Sequence, residues 1–285
     1  MNRKYYALKI IPKYQLNTKG RLYNLFNEPY ILKRLNNKNN FVPQIISSFQ
    51  DYENLYLVTT FYDGPSLEGF LNNNISEYQI KFISACIILT ITNVIMDKDN
   101  YFNLIDFSFS IDYSKRHSLG LKCNINNITT PPEIFNNLVY DYNSDYYNFG
   151  FIIFFMIFKK YPSNYKYYNL TKLREEYKLN GVYSNLFFEF LEKLIVINIT
   201  KRIGYNNIEE LVNHPWFNNF NWDKLEHKKI ISPLAYNKTK IAMKKCLQFN
   251  KTKQMILRYK KFREQNTYRK LLKSYDFSTS MFQIK

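Results

Sequence analysis

One break in the hydrophobic pattern constrains this fold more than any other feature of the sequence. The segment Asp63-Gly64-Pro65-Ser66 separates a strand-rich beginning of the chain from a mostly helical remainder. Chains that segregate strands and helices in this way form α+β folds, because their helices do not alternate with the strands of one parallel sheet. We therefore predict an α+β protein with a small β-rich part and a larger α-helical part.

The part before residue 63 is predicted to contain three strands and one helix. Alternating and β-branched residues predict strands over 5–11, 41–50 and 55–62, with a hairpin-like turn at 51–54 between the last two. Residues 27–35 have the apolar spacing of a helix, with Ile31, Leu32 and Leu35 on one face.

The part after residue 63 is predicted to be mainly helical. Ser76 has the sequence context of a helix cap, and strands over 94–96 and 102–105 follow around a turn at 97–100. Further helices are expected at 145–159, 184–197 and 206–213, and the tail permits one from about 238 to 272. The longest apolar run, 149–158, has about half of the roughly twenty residues that cross a membrane. We expect it to be a buried core helix, and we expect no transmembrane segment.

The positive charge is concentrated at the end of the chain. The net charge is +17, and residues 226–285 alone carry 16 Lys and Arg against 3 Asp and Glu. Such a segment could attract phosphates, anionic lipid or an acidic protein surface, or it could be a solvated helical tail. Three widely spaced cysteines favour a reducing compartment, and the three histidines lack metal-ligand spacing.

Several short motifs follow one another in a fixed order. Ala7-Leu8-Lys9 lies in the first predicted strand, and Glu28 follows Lys9 by 19 residues on the next helix. Leu104-Ile105-Asp106-Phe107-Ser108 ends the predicted strand pair, and Asn93 precedes Asp106 by 13 residues. The order and spacing of these motifs resemble those of the protein kinase superfamily, in its V-A-I-K strand, helix glutamate, catalytic-loop asparagine and D-F-G segment.

Later segments extend the resemblance over about residues 5–225. Pro131-Pro132-Glu133 resembles the A-P-E motif, Asp145 opens a segment similar to the central buried helix, and Arg202 matches the arginine that pairs with the A-P-E glutamate. His214-Pro215-Trp216-Phe217 is similar to the end of an AGC-group Ser/Thr kinase domain, with the YANK subgroup as the nearest match.

The resemblance implies a two-lobed protein-kinase-like fold. Residues 1–62 would form a truncated small β-rich N-lobe, 63–225 a larger α-helical C-lobe, and 226–285 a basic C-terminal tail of the AGC type. In this family the γ-phosphoryl group of ATP moves to a protein Ser or Thr, with ATP and Mg²⁺ as cofactors. The residues implied to bind them are Lys9, Glu28, Asn93 and Asp106, with Asn93 and Asp106 holding Mg²⁺, while Glu133, Arg202 and Asp145 would be structural.

Two parts of the family pattern are missing from this sequence. The Gly-rich loop precedes the strand lysine in the family, and here the eight residues before Lys9 contain no glycine. The catalytic aspartate of H-R-D-x-x-x-x-N lies five residues before the asparagine, and counting back from Asn93 gives Ile88. Ile87 and Cys86 hold the places of the arginine and histidine. We therefore expect no catalytic residue in these 285 residues.

Two explanations of the missing segments are open. The chain could be a pseudokinase that acts as a scaffold, or an active AGC-like kinase represented by an incomplete gene model or a splice form. Both imply a protein substrate or binding partner, and an acidic surface is a candidate partner for the basic tail. We see no base-reading motif and expect no nucleic-acid partner. The absence of a signal peptide at 1–13 favours a cytoplasmic, intracellular protein.

Overall fold

The computed structural model describes residues 5–16, 28–36, 39–70, 75–89, 94–107, 110, 130–135, 141–160, 170–234 and 277–278. These residues fall into two compact units. The sheet unit consists of the described residues among 1–63, 105–115 and 237–285, and the helical unit of those among 64–104 and 116–236. Strands dominate the first unit and helices the second, which confirms the predicted α+β class.

The described strands are, in chain order, Tyr6–Pro12 (β1), Ile45–Gln50 (β2), Asn54–Thr60 (β3), Val94–Met96 (β4), Phe102–Leu104 (β5) and Phe277–Ser278 (β6). The described helices are residues 28–35 (α1), Leu67–Phe70 (α2), Glu77–Ile88 (α3), Pro132–Phe135 (α4), Tyr142–Phe158 (α5), Leu170–Glu176 (α6), Asn185–Ile195 (α7), Glu209–Val212 (α8) and Trp222–Glu226 (α9). Short 3₁₀ helices cover Lys13–Leu16, Ile199–Lys201 and Pro215–Phe217.

The sheet unit is built on a four-stranded antiparallel sheet with the order β1-β3-β2-β6. Directly opposed residues of antiparallel strands share a face, so Lys9 of β1 lies on the face of its partner Leu57, which is 2% exposed. Leu8 and Ile10 point to the opposite face and are 52% and 45% exposed. The alternation of β1 therefore directs Lys9 inward.

Several strand boundaries differ from the sequence prediction, most clearly the start of β2. The predicted strand over 41–50 is a strand only from Ile45, because Pro43 has no amide N–H for a strand ladder. Phe41 and Val42 are nevertheless buried, at 1% and 3% exposure, so they contribute apolar packing from a turn. The strand predicted over 5–11 runs from Tyr6 to Pro12, and Pro12 lies opposite Asn54.

The helical unit contains α3, whose start follows from its sequence. Ser76 is the N-cap and its side chain accepts a hydrogen bond from the amide of Gln79, while the Gln79 Oε1 accepts one from the Ser76 amide. This capping box satisfies amide groups that the first turn of a helix leaves unpaired. The helix cap predicted at Ser76 is confirmed.

Helices α5 and α7 form the core of the helical unit. Most of α5 is buried, as predicted for the apolar run at 149–158, and α7 buries a row of apolar residues against it. Gly150 permits their close approach, because a Cβ there would lie 2.9 Å from the Leu194 Cβ and would also clash with the Ile195 side chain. No helix in the described part of the chain has the length and apolar character needed to cross a membrane.

Candidate nucleotide-binding site

Three of the four predicted cofactor-binding residues come together in the sheet unit. The Lys9 Nζ lies 2.7 Å from Glu28 Oε2 and 3.2 Å from Asp106 Oδ1. These residues come from β1, α1 and the segment after β5, and Asp106 is 97 residues from Lys9 in the chain. The fourth predicted residue, Asn93, lies outside the described residues.

The environments of the two carboxylates differ. The Glu28 side chain is 9% exposed, whereas that of Asp106 is 46% exposed. Burial lowers the pKa of Lys9, but the neighbouring Glu28 and Asp106 carboxylates outweigh this effect and hold the pKa above its usual value of 10.5. Lys9 is therefore a permanent cation, held on one side by a buried anion and reaching an anion that solvent can contact.

Asp106 has an unusual backbone conformation. Its φ of 66° lies in the left-handed region, which a non-glycine residue rarely adopts. The next residue, Phe107, is 5% exposed, and its carbonyl accepts the amide of Ser110 at 3.1 Å in a turn. Buried packing after Asp106 thus fixes a local conformation of the kind that concentrates at functional sites.

The residues present suit a magnesium–nucleotide ligand in charge and donor type. A lysine ammonium can bind phosphate oxygens, and an accessible aspartate is a ligand that Mg²⁺ accepts while keeping several waters. Among the described residues, no group of three or more His, Cys, Asp or Glu side chains is arranged to hold a metal. A magnesium ion here would therefore rely on Asp106 together with phosphate and water oxygens.

The position that corresponds to the catalytic aspartate is buried in a helix. Ile88 is the last residue of α3 and is 2% exposed, and Cys86 and Ile87 before it are fully buried. Burial raises the pKa of the Cys86 thiol to about 12, which keeps it protonated. Residues 89–93 are all that separates α3 from β4. A connection of five residues is shorter than the eight-residue H-R-D-x-x-x-x-N segment itself.

The three predicted structural residues lie in the helical unit. Arg202 binds Glu133 with two hydrogen bonds, of 2.7 and 3.1 Å, and both side chains are almost fully buried. Burial raises the pKa of Glu133, but the Arg202 guanidinium outweighs it and holds the pKa below 4.5. Arg202 also donates to the carbonyls of Asn143 and Val196, so it joins three segments of the chain. Asp145 lies in the first turn of α5, where a negatively charged carboxylate interacts favourably with the helix dipole.

A second charged group was not predicted from the sequence. The Lys228 Nζ lies 2.7 Å from Asp97 Oδ2 and 2.9 Å from Asn103 Oδ1, and we call these three residues the Lys228 cluster. Burial raises the pKa of Asp97, but the Lys228 ammonium outweighs it and the net shift is downward. Lys228 is 131 residues from Asp97, and no local pattern in the sequence connects them.

Comparisons with known proteins identify the family to which the chain belongs. The model of the protein kinase domain family matches residues 1–217. The catalytic subunit of cAMP-dependent protein kinase from Schizosaccharomyces pombe is 29% identical over 262 residues, covering 81% of this chain and 49% of that protein. A probable serine/threonine-protein kinase of Dictyostelium discoideum is 26% identical over 260 residues, covering 82% of this chain and 55% of that protein.

A third relative is the serine/threonine-protein kinase sgk-1 of Caenorhabditis elegans, 27% identical over 261 residues, covering 81% of this chain and 54% of that protein. The chain spans about half the length of the curated relatives it matches. The resemblance to AGC-type Ser/Thr kinases is confirmed by these relatives, while the YANK subgroup stays a prediction. The chain belongs to the protein kinase domain family and has its two-lobed α+β fold.

Proposed function

We propose that this chain is a pseudokinase that retains a nucleotide site at Lys9, Glu28 and Asp106 and acts by binding other proteins. Asn93 would complete the magnesium ligands. When bound, ATP with Mg²⁺ supplies the transferable γ-phosphoryl group in this family. The residues of this chain bind and orient that ligand, and the step that would use it is missing.

One observation carries the proposal: the position of the catalytic aspartate holds Ile88, at the buried end of α3. A general base must come within hydrogen-bond reach of the hydroxyl that it deprotonates. An apolar side chain that is 2% exposed has neither a proton acceptor nor access to a substrate. A positioned base contributes a factor of about 10²–10⁴ to the rate, so ordinary turnover would be lost with it.

The geometry around Lys9 supports retained nucleotide binding. Lys9 and Glu28 are 2.7 Å apart, and the Asp106 carboxylate is accessible beside them. Burying the Glu28 carboxylate costs free energy, and pairing it with Lys9 leaves the ammonium positioned beside the accessible Asp106, where a phosphate could reach both.

Thermal unfolding with and without Mg-ATP tests the binding part. A ligand at 100 times its Kd adds about 2.7 kcal/mol to stability, which raises Tm by roughly 5–10 °C in a protein near this size. We expect this rise in the unaltered chain and its loss in Lys9→Met, each compared with its own ligand-free Tm. Lys98→Met, which changes a lysine that is 76% exposed, is the matched control and should keep the rise.

Equal shifts in Lys9→Met and the unaltered chain would refute a nucleotide site at Lys9. The absence of any shift would remove nucleotide binding from the proposal. The scaffold part would then be judged by whether the full chain captures a protein partner, and the basic segment at 226–285 makes an acidic surface the first candidate.

A second candidate is an active AGC-like kinase of which this sequence is an incomplete gene model or splice form. The intact contacts of Lys9 favour it, because those residues serve catalysis in the family. The messenger RNA across the codons for Ile83 to Asn93 distinguishes the two candidates. Extra codons that encode H-R-D would support the kinase, and a transcript that matches this sequence would support the pseudokinase. Either protein is expected in the cytoplasm.

A further inference from the structure

The segment after α9 is fastened to the β4–β5 hairpin and to α3. We call residues 228–234 the strap. Besides the contacts of Lys228, the Tyr101 hydroxyl donates to the carbonyl of Ile230, and the Gln79 side chain donates to the carbonyl of Pro233 at 3.1 Å. The strap ends at Leu234, which is 1% exposed. All of these residues belong to the helical unit.

Ser232 is the hydrogen-bonding centre of the strap. Its Oγ donates to the carbonyl of Asn100, in the hairpin turn, at 2.8 Å, and accepts the amide of Leu234 at 3.2 Å. The hydroxyl therefore closes the strap on itself and binds it to the hairpin. Ser232 is half-buried and lies outside any helix or strand, and Ile231 beside it is 93% exposed.

The chain contains two dipeptides in which proline follows a Ser or Thr: Thr130-Pro131 and Ser232-Pro233. Proline lacks an amide N–H and has a fixed φ, so an enzyme can recognise this type of dipeptide by its backbone. Thr130 is 6% exposed in the folded protein, whereas Ser232 and Pro233 are half-buried in an irregular segment. Ser232-Pro233 is thus the more accessible of the two dipeptides in the folded chain.

We propose that Ser232 is a phosphorylation site for a separate, proline-directed Ser/Thr kinase, and that its phosphorylation releases the strap from the hairpin. In the reaction, the Ser232 Oγ bonds to the γ-phosphorus of ATP held by that kinase, and the bond from this phosphorus to the β,γ-bridging oxygen breaks. ADP leaves with the electron pair, and the hydroxyl proton passes to the base of the modifying kinase.

The predicted release follows from the chemistry of the ester. The Ser232 oxygen loses the proton that it donates to Asn100, and the phosphate adds a charge of about −1.5 to −2 near neutral pH. This charge would face the Asn100 carbonyl oxygen and a turn that contains Asp99 and Asp97, of which Asp97 is already paired with Lys228. Lys98 and Lys229 are exposed and can offset only part of this repulsion, because exposed ion pairs contribute little.

The test uses the full folded chain, a purified proline-directed kinase and radiolabelled ATP, with the modified residue located by mass spectrometry. We expect one phosphate at Ser232, none in Ser232→Ala, and a strongly reduced amount in Pro233→Ala. Thr130 should be modified only after the chain is unfolded. If the label persists in Ser232→Ala, Ser232 is not the phosphorylation site. The same conclusion follows if the unfolded chain takes up label and the folded chain takes up none.

Hydrogen exchange and thermal unfolding then test the release. Phosphorylation should speed exchange at the amide of Leu234 by tenfold or more and lower Tm by about 2–6 °C, as expected for the loss of one or two hydrogen bonds. The core amides of α7, which exchange when the helical unit unfolds, should speed only by the factor that the lower stability implies. Stoichiometric phosphate at Ser232 with unchanged Leu234 exchange would refute the release. This inference does not depend on nucleotide binding at Lys9, so the two can fail separately.

Discussion

Breaking the buried ion pair between Arg202 and Glu133 should be among the most damaging single changes in the helical unit. The two side chains are 0% and 4% exposed, and Arg202 also donates to two backbone carbonyls. Arg202→Met would leave the Glu133 carboxylate buried with the Ser144 hydroxyl and its own backbone amide as neutral donors. Removing one partner of a buried pair costs about 3–5 kcal/mol, since the other charge loses its compensation.

Urea unfolding followed by tryptophan fluorescence measures this cost. Both tryptophans of the chain, Trp216 and Trp222, lie in the same unit as Arg202. The matched control is Lys193→Met, which removes a pair with Glu189 that has the same N–O distance of 2.7 Å but is about half exposed. Exposed pairs contribute about 0–1 kcal/mol, so the two variants should differ by at least about 2 kcal/mol.

A double change separates the buried charge from the lost packing. Arg202→Met combined with Glu133→Gln removes both charges, so it should be less destabilised than Arg202→Met alone. If Arg202→Met costs less than about 1 kcal/mol, or no more than Lys193→Met, the buried pair does not anchor this part of the fold and the reasoning is wrong.

Three further changes test other contacts. Burial holds the pKa of His214 below its usual 6.5, so on acidification the unfolded chain binds the proton first. As the pH falls below 6.5, the unaltered chain should therefore lose up to about 1.4 kcal/mol of stability per pH unit relative to His214→Asn. Urea-unfolding stabilities of the two chains that change in parallel with pH would contradict this. Lys228→Met should lower the urea midpoint clearly more than Lys229→Met, because it breaks the Lys228 cluster, and equal midpoints would deny the cluster a role. Gly150→Ala should lower the free energy of unfolding by about 1–3 kcal/mol, because its Cβ overpacks the contact of α5 with α7. In Gly69→Ala the new Cβ would lie 3.5 Å from its nearest neighbours, so thermal unfolding should show no measurable loss of stability.

The elements that depend on local patterns could be predicted from the sequence. The cap at Ser76, the buried run within α5 and the short hairpin of β4 and β5 each have a signal within a few residues. The strand predicted over 41–50 begins only at Ile45, because Pro43 interrupts a run whose first apolar residues are buried in a turn. The predicted helix at 206–213 is helical only at Glu209–Val212, with irregular residues before it.

The candidate site could be predicted in part. The order and spacing of motifs indicated that Lys9, Glu28 and Asp106 belong together, although nothing local joins residues 97 apart. The left-handed conformation of Asp106 and the Lys228 cluster could not be predicted, because both depend on tertiary packing. The predicted domain limits at 62 and 225 and the cofactor roles of the site residues stay predictions, and the proposed tail helix over 238–272 lies outside the described residues.

The most direct test of the central claim is a single-turnover assay of γ-phosphoryl transfer. The 285-residue chain, in excess over radiolabelled Mg-ATP, is incubated with a generic Ser/Thr substrate protein, and both proteins and free phosphate are analysed. We predict no product above the level of a Lys9→Met and Asp106→Asn double variant, since the position of the base holds the buried Ile88. If the unaltered chain transfers phosphate and the double variant does not, the chain is an active kinase, which contradicts the pseudokinase proposal.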